Sequence, residues 1–88
     1  MMMARYMPRR MQPITREVYA FVRDYIQENR RSPTLREIGS GCYISHTAVM
    51  RHLDKLEGMG WLEREPNIPR SMRLGELAPD TDWDDQFS

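Results

Sequence analysis

The chain is short of several things. A single cysteine, Cys42, among 88 residues excludes an internal disulfide framework and fits a reducing compartment. No apolar run approaches the ~20 residues that span a bilayer. The opening residues 1–10 lack the continuous apolar stretch of a secretory signal. Length is scarce too. A chain of this size makes one domain and buries only about 60% of its unfolded surface, which leaves little room for a self-contained substrate pocket. No enzyme activity, metal or cofactor is therefore expected. Hydrophobic residues at 40% and charged residues at 30% are those of an ordinary soluble globular protein.

A net charge is also lacking, because 13 bases balance 13 acids. The balance hides an asymmetry. All thirteen bases lie before residue 74, against eight acids in residues 1–75, a net of +5. Residues 76–88 hold Glu76, Asp80, Asp82, Asp84 and Asp85 and no base, a net of −5. A basic body with an acidic tail is a charge asymmetry that calls for an explanation.

Residues 1–13 carry Arg5, Arg9 and Arg10 with Pro8 and Pro13, show no apolar periodicity and read as a flexible basic arm. Thr15 is a good N-cap, and Val18, Phe21, Val22, Tyr25 and Ile26 follow at helical spacing. The pattern predicts a helix over 15–29, stopped at Arg30-Arg31-Ser32-Pro33 because the residue before a proline leaves helical space. Thr34-Leu35-Arg36-Glu37 is a capping box. It opens a short helix that buries Leu35, Ile38 and Cys42 and ends by about 42, where Gly39 and Gly41 weaken it. Tyr43-Ile44 makes a tight connection to Ser45, a further N-cap. Val49, Leu53 and Leu56 then share one stripe of a helix running to about 58. Residues 61–65 and 71–74 read as extended segments around the proline-punctuated loop 66–70, and so as a hairpin. Residues 76–88 read as an acidic, disordered tail.

A short helix, a tight turn and a second capped helix form a helix-turn-helix. Such a unit enters the ~12 Å major groove only if the second helix buries one stripe and keeps a polar side open. Here Val49, Leu53 and Leu56 bury, while His46, Thr47, Met50, Arg51, Asp54 and Lys55 project away. Ser45 sets a hydroxyl and unpaired backbone N–H groups where a phosphate can sit. The capped start of the preceding helix does the same with Thr34 and Arg36. Arg51 suits guanine O6 and N7, a pairing worth roughly 1–3 kcal/mol of discrimination. A plain three-helix core with a solvated charged side fits the same pattern.

The runs Thr15-Arg16-Glu17-Val18 and Ser32-Pro33-Thr34-Leu35-Arg36-Glu37-Ile38 resemble the amino-terminal DNA-binding domain of LexA-type repressors. So do residues 45–56, and so do Gly60-Trp61-Leu62-Glu63-Arg64 and Arg70-Ser71-Met72-Arg73-Leu74. The resemblance covers about residues 13–75. It implies a mainly α winged helix-turn-helix, with three helices and a two-stranded β-hairpin wing, occupying residues 14–75. Its implied role is a cytoplasmic, sequence-specific transcriptional repressor on bacterial or phage double-stranded DNA. Carried over residue by residue, the reading positions are Ser45, Thr47, Ala48, Met50 and Arg51. Arg70 and Arg73 flank the wing, where a minor groove or its phosphates would lie.

Two departures from the family pattern stand out. The stretch from Ile38 to Ser45 is one residue shorter, and Tyr43 occupies a turn position where glycine is common, which predicts a positive φ there. The family continues into a self-cleaving peptidase domain with a serine–lysine dyad. The only lysine here is Lys55, so neither self-cleavage nor the dimer contact of that domain is expected of these residues.

The rival reading is a winged-helix docking module for another protein, which net neutrality and an acidic, aromatic tail would also suit. A homodimer or partner protein is expected in either case, with Trp83, Phe87 and Met72 as exposed apolar candidates for the contact. Cys42, His46, His52 and Asp54 are the candidates for metal or nucleophile chemistry. His46 and His52 fall about 120° apart on a helix and cannot share an ion. The tail reads in three ways: a solvated end, a docking segment for a partner, or an internal phosphate mimic competing for the basic side.

Overall fold

The computed structural model describes residues 12–65 and 67–79. The basic arm expected at Arg5, Arg9 and Arg10, and the tail from Asp80 with Trp83 and Phe87, lie outside the described residues. Three helices come first: α1 (Pro13–Asn29), α2 (Leu35–Cys42) and α3 (His46–Gly58). Two short strands follow, β1 (Leu62–Glu63) and β2 (Arg73–Leu74). The strands pair antiparallel with Leu62 opposite Leu74 and Glu63 opposite Arg73, so the extended segments expected from sequence shrink to two residue pairs.

The start of α1 differs from the expectation. Its N-cap is Gln12, whose carbonyl accepts from Thr15 N–H (3.0 Å) and Arg16 N–H (3.3 Å). Pro13 stands at the first helical position, where its fixed φ suits the helix and its missing N–H costs nothing. Thr15 is therefore not a cap; it is buried one turn inside. The other two caps match the sequence reading. Thr34 and Glu37 exchange both bonds of the capping box, and Ser45 Oγ accepts from Ala48 N–H at 3.2 Å. Tyr43, after α2, has φ 59° and ψ 44°, the left-handed geometry its turn position predicts.

Gly39 and Gly41 lie within α2 and do not interrupt it. Gly41 has a packing reason, since a Cβ there would run into the Phe21 ring of α1. The core joins all elements: Val18, Tyr19 and Val22 from α1, Ile38 from α2, Val49, Leu53 and Leu56 from α3, and Trp61, Leu62 and Met72 from the hairpin. Met72, expected as an exposed partner contact, is 7% exposed and belongs to this core. Trp61 meets Tyr19 edge to face, with ring centroids 5.1 Å apart. Packing also runs past the expected boundary at 75. Leu77 N–H donates to Gly60 O at 2.9 Å, Ala78 packs on the core and the Tyr19 hydroxyl donates to Pro79 O at 3.5 Å.

The Tyr43 geometry gives a stability prediction. A Cβ in the left-handed region costs roughly 1–2 kcal/mol, and the Tyr43 ring is 93% exposed, so little packing is at stake. Y43G is expected to raise unfolding free energy by about 0.5–1 kcal/mol, after the larger entropy of an unfolded glycine is allowed for. A urea midpoint at or below that of the parent would contradict it.

Candidate nucleic-acid interface

Helix α3 divides cleanly into two sides. Val49, His52, Leu53 and Leu56 are buried. His46, Thr47, Arg51, Asp54 and Lys55 are exposed, Ala48 and Met50 are half-buried, and Ser45 is exposed at the cap. The open side thus brings Ser45, His46, Thr47 and Arg51 together on the first turns of a capped helix, where backbone N–H groups and the helix dipole favour an anion. The residues read from sequence as projecting do project, apart from the partial burial of Met50.

His52 has a structural role that sequence reasoning did not find. It is 5% exposed, and its Nδ1 lies 2.8 Å from Thr15 Oγ1 of α1 in a buried hydrogen bond spanning 37 positions. The Thr15 hydroxyl read as a cap is thus the anchor for the back of α3. Burial lowers the His52 pKa from its ordinary value, and the nearby Lys55 and Arg51 lower it further. A histidine with a depressed pKa in the fold binds fewer protons than the unfolded chain, so stability rises with pH through that range. Its contribution is complete above the unfolded value near 6.5 and declines as pH falls from there toward the folded value. We expect the urea midpoint to drop between pH 7.5 and 5.5 and the drop to shrink in H52Q, which keeps a partner for Thr15 without titrating. An identical pH profile in both proteins would rule this out.

Neighbouring side chains shape the open side. Arg64, after β1, pairs with Glu57 and lies 3.7 Å from Asp54, both on α3. Its Nη1 also stands 4.0 Å from Met50 Sδ. This guanidinium is thereby tied to α3 and offsets the acids on that helix. Lys55 Nζ donates to Gln12 Oε1 at 3.3 Å. Arg36 is exposed on α2 and, with His46, Leu35 and Ile44, lines a shallow recess of about 390 Å³. A second cleft of about 460 Å³ separates Thr34, Arg36 and His46 from the wing residues Ile68, Pro69 and Ser71.

The remaining sequence-predicted residues are already engaged within the chain. Thr34 Oγ1 accepts from Glu37 N–H at 3.1 Å, and Glu37 Oε1 accepts from Thr34 N–H at 2.8 Å. A carboxylate therefore sits at the start of α2, where a phosphate was expected. That backbone bond, with Arg70 beside it, holds the Glu37 carboxyl below the usual range. Arg73 pairs with Glu63 across the ladder at 2.9 Å, with both side chains largely exposed. Arg70 donates to Ser32 O at 3.0 Å and to Glu37 Oε2 at 3.1 Å.

Cys42 is half-buried with its Sγ 4.0 Å from Glu17 O, and burial pushes its thiol pKa up, as does the Glu17 charge. His46 and His52 lie on opposite sides of α3, one exposed and one buried. Among the described residues no three His, Cys, Asp or Glu side chains cluster as metal ligands, and no helix is long and apolar enough to cross a membrane.

Helices α2 and α3 with their tight turn, and the hairpin beside them, make a helix-turn-helix with a wing. The family described as the LexA DNA binding domain matches residues 10–71. The chain belongs to that family. It is 39% identical over 67 residues to a LexA repressor of Carboxydothermus hydrogenoformans, covering 74% of this chain and 33% of that protein. It is 44% identical over 63 residues to LexA repressor 1 of Geobacter sulfurreducens, covering 70% and 31%. A LexA repressor of Listeria welshimeri is 31% identical over 67 residues, covering 75% and 33%. The chain thus spans about a third of the length of these relatives. As a LexA DNA-binding domain it has the winged-helix fold, with α2 and α3 as the helix-turn-helix and β1–β2 as the wing.

Proposed function

We propose that this LexA-family chain represses transcription by occupying double-stranded operator DNA, with α3 in the major groove and no chemistry performed. The observation that carries this is the division of α3: a buried stripe of Val49, His52, Leu53 and Leu56 backs an open stripe of His46, Thr47 and Arg51. Thr47, Ala48, Met50 and Arg51 face base edges, the Ser45 cap and His46 meet the phosphate at the helix start, and Lys55 meets the backbone further along. Arg36, exposed on α2, and Arg73, exposed on β2 beside Glu63, add phosphate contacts. Thr34 contributes through α2's start only as far as the Glu37 carboxylate allows. The basic character of residues 1–75 supports the reading. Bacterial relatives that share the domain support a bacterial or phage host and a cytoplasmic setting.

One module of this kind buries roughly 600–1,000 Å² on DNA, so useful specificity calls for two copies on one site or a partner protein. Selection of bound sequences from a random duplex pool tests all of this together. Enrichment of a short motif supports groove reading, and two copies of it in inverted orientation support a homodimer. Failure to bind any duplex at low ionic strength would sink the proposal and favour a protein-docking module. Affinity for random duplex is expected to fall steeply with salt as counterions are released.

A further inference from the structure

Two guanidiniums fasten the connection between β1 and β2 to the helical body: Arg64 at its start, tied to Glu57 and Asp54 of α3, and Arg70 further along the loop. Arg70 lies in the loop between β1 and β2, and its Nη1 donates to Ser32 O in the connection from α1 to α2. Its Nη2 donates to Glu37 Oε2 on the first turn of α2. The other Glu37 oxygen caps α2 through Thr34 N–H, so one carboxylate serves the helix and the wing together. Ser32 is buried, which makes its carbonyl a fixed point.

Two further observations suggest why the wing needs such a fastening. The ladder holds only two residue pairs, and a lone short hairpin is marginal in water. Arg70 carries a positive φ of 57°, a backbone geometry uncommon for a residue that is neither glycine nor asparagine. At the loop's base Ser71 Oγ accepts from Glu65 N–H and donates to Glu65 O, which closes the loop but does not aim it.

We propose that Arg70 is a positioning residue, a latch through Glu37 and Ser32 that sets the angle of the wing to α3, and not a phosphate contact. The inference rests on the DNA-binding reading above, because the angle matters only if α3 and the wing must meet one duplex.

E37Q separates the two roles of Arg70. A glutamine at the third helical position still completes a capping box. It has only one acceptor oxygen, however, and using it on Thr34 N–H turns its NH₂ toward the Arg70 donors. The Glu37 arm of the latch therefore breaks, leaving the bond to Ser32 O, while the cap survives. If Arg70 acted on phosphate directly, E37Q would release its guanidinium and remove a nearby negative charge, and binding would tighten. The latch gives the opposite sign.

The experiment measures E37Q, R70Q, R70K and the E37Q/R70Q double variant against a duplex selected by the parent protein, over a range of salt. We expect each single change to weaken binding by about three- to ten-fold and the double change to add little. R70K should fail to rescue, since an ammonium does not reproduce the guanidinium fork that reaches two acceptors. The slope of log affinity against log salt should match the parent. In the unliganded protein, wing amides such as Glu65 should exchange about two- to five-fold faster in E37Q while α1 and α3 stay unchanged. Tighter binding by E37Q, or a slope reduced by about 0.9 in R70Q, would overturn the latch in favour of a direct phosphate contact. If the parent binds no duplex, the DNA reading fails by itself. Amide exchange then decides whether the link exists, and unchanged wing rates would reject it.

Discussion

An L53A variant is expected to lose most of the domain's stability. Leu53 is fully buried in α3, within the core that joins α1 to the hairpin. Truncating a buried leucine costs about 2–5 kcal/mol, and the higher values occur where neighbours cannot close around the cavity. Closing is hard here because α1, α2 and the wing meet around α3 and none can shift without disturbing the others. A small domain starts near the low end of the usual 5–15 kcal/mol, so a loss of this size leaves a large unfolded fraction at physiological temperature. The thermal midpoint, followed by helical circular dichroism, should fall by roughly 10–30 °C. A drop below about 5 °C would mean that α3 is not seated in the core as described.

An R51A variant should behave in the opposite way, with stability intact and recognition lost. Arg51 is exposed on the outward side of α3, and no bond to another side chain restrains it among those described. Removing a bidentate contact to guanine costs about 1–3 kcal/mol, which is about 5- to 150-fold in affinity for the selected duplex. Affinity for random duplex should change by much less, because a side chain that reads a base edge contributes little where that base is absent. The measurement is a pair of titrations, selected against random duplex, at one salt concentration. Equal losses on both would reassign Arg51 to the phosphate backbone.

The contrast between these variants reflects what is legible in a sequence. The buried stripe of α3 and its open side follow from spacing, and both caps follow from local side-chain chemistry, since a Ser or Thr that caps does so within three residues. The left-handed turn at Tyr43 was legible only through the family resemblance, because Tyr43 stands where that family commonly has glycine. What spacing did not reveal are the long-range polar links. Thr15 looks like a cap because it precedes a helical pattern, yet Pro13 marks the true start and the Thr15 hydroxyl reaches His52 instead. Spacing sets His52 aside as a ligand, since it cannot share an ion with His46, but does not show that the packing of α1 on α3 makes it part of the interior. The acids that hold Arg64 and Arg70 are 7 and 33 positions away in sequence, and no local rule pairs them. Glu37 carried a partial signal, since the capping box flagged it, but only as a cap. Leu77, Ala78 and Pro79 look like the start of an acidic tail, and the Tyr19 hydroxyl and Gly60 carbonyl draw them onto the body.

The bond between Thr15 and His52 has a practical outcome for anyone wishing to redirect this protein. It fastens α3 from behind through groups that never face a duplex, so the rotation of the helix about its own axis does not depend on what its front displays. If α3 reads DNA as proposed, the exposed side chains at 47 and 51 can be exchanged together while the buried face of the helix stays as it is. On that reading, new target sequences would be open to the chain without a new fold.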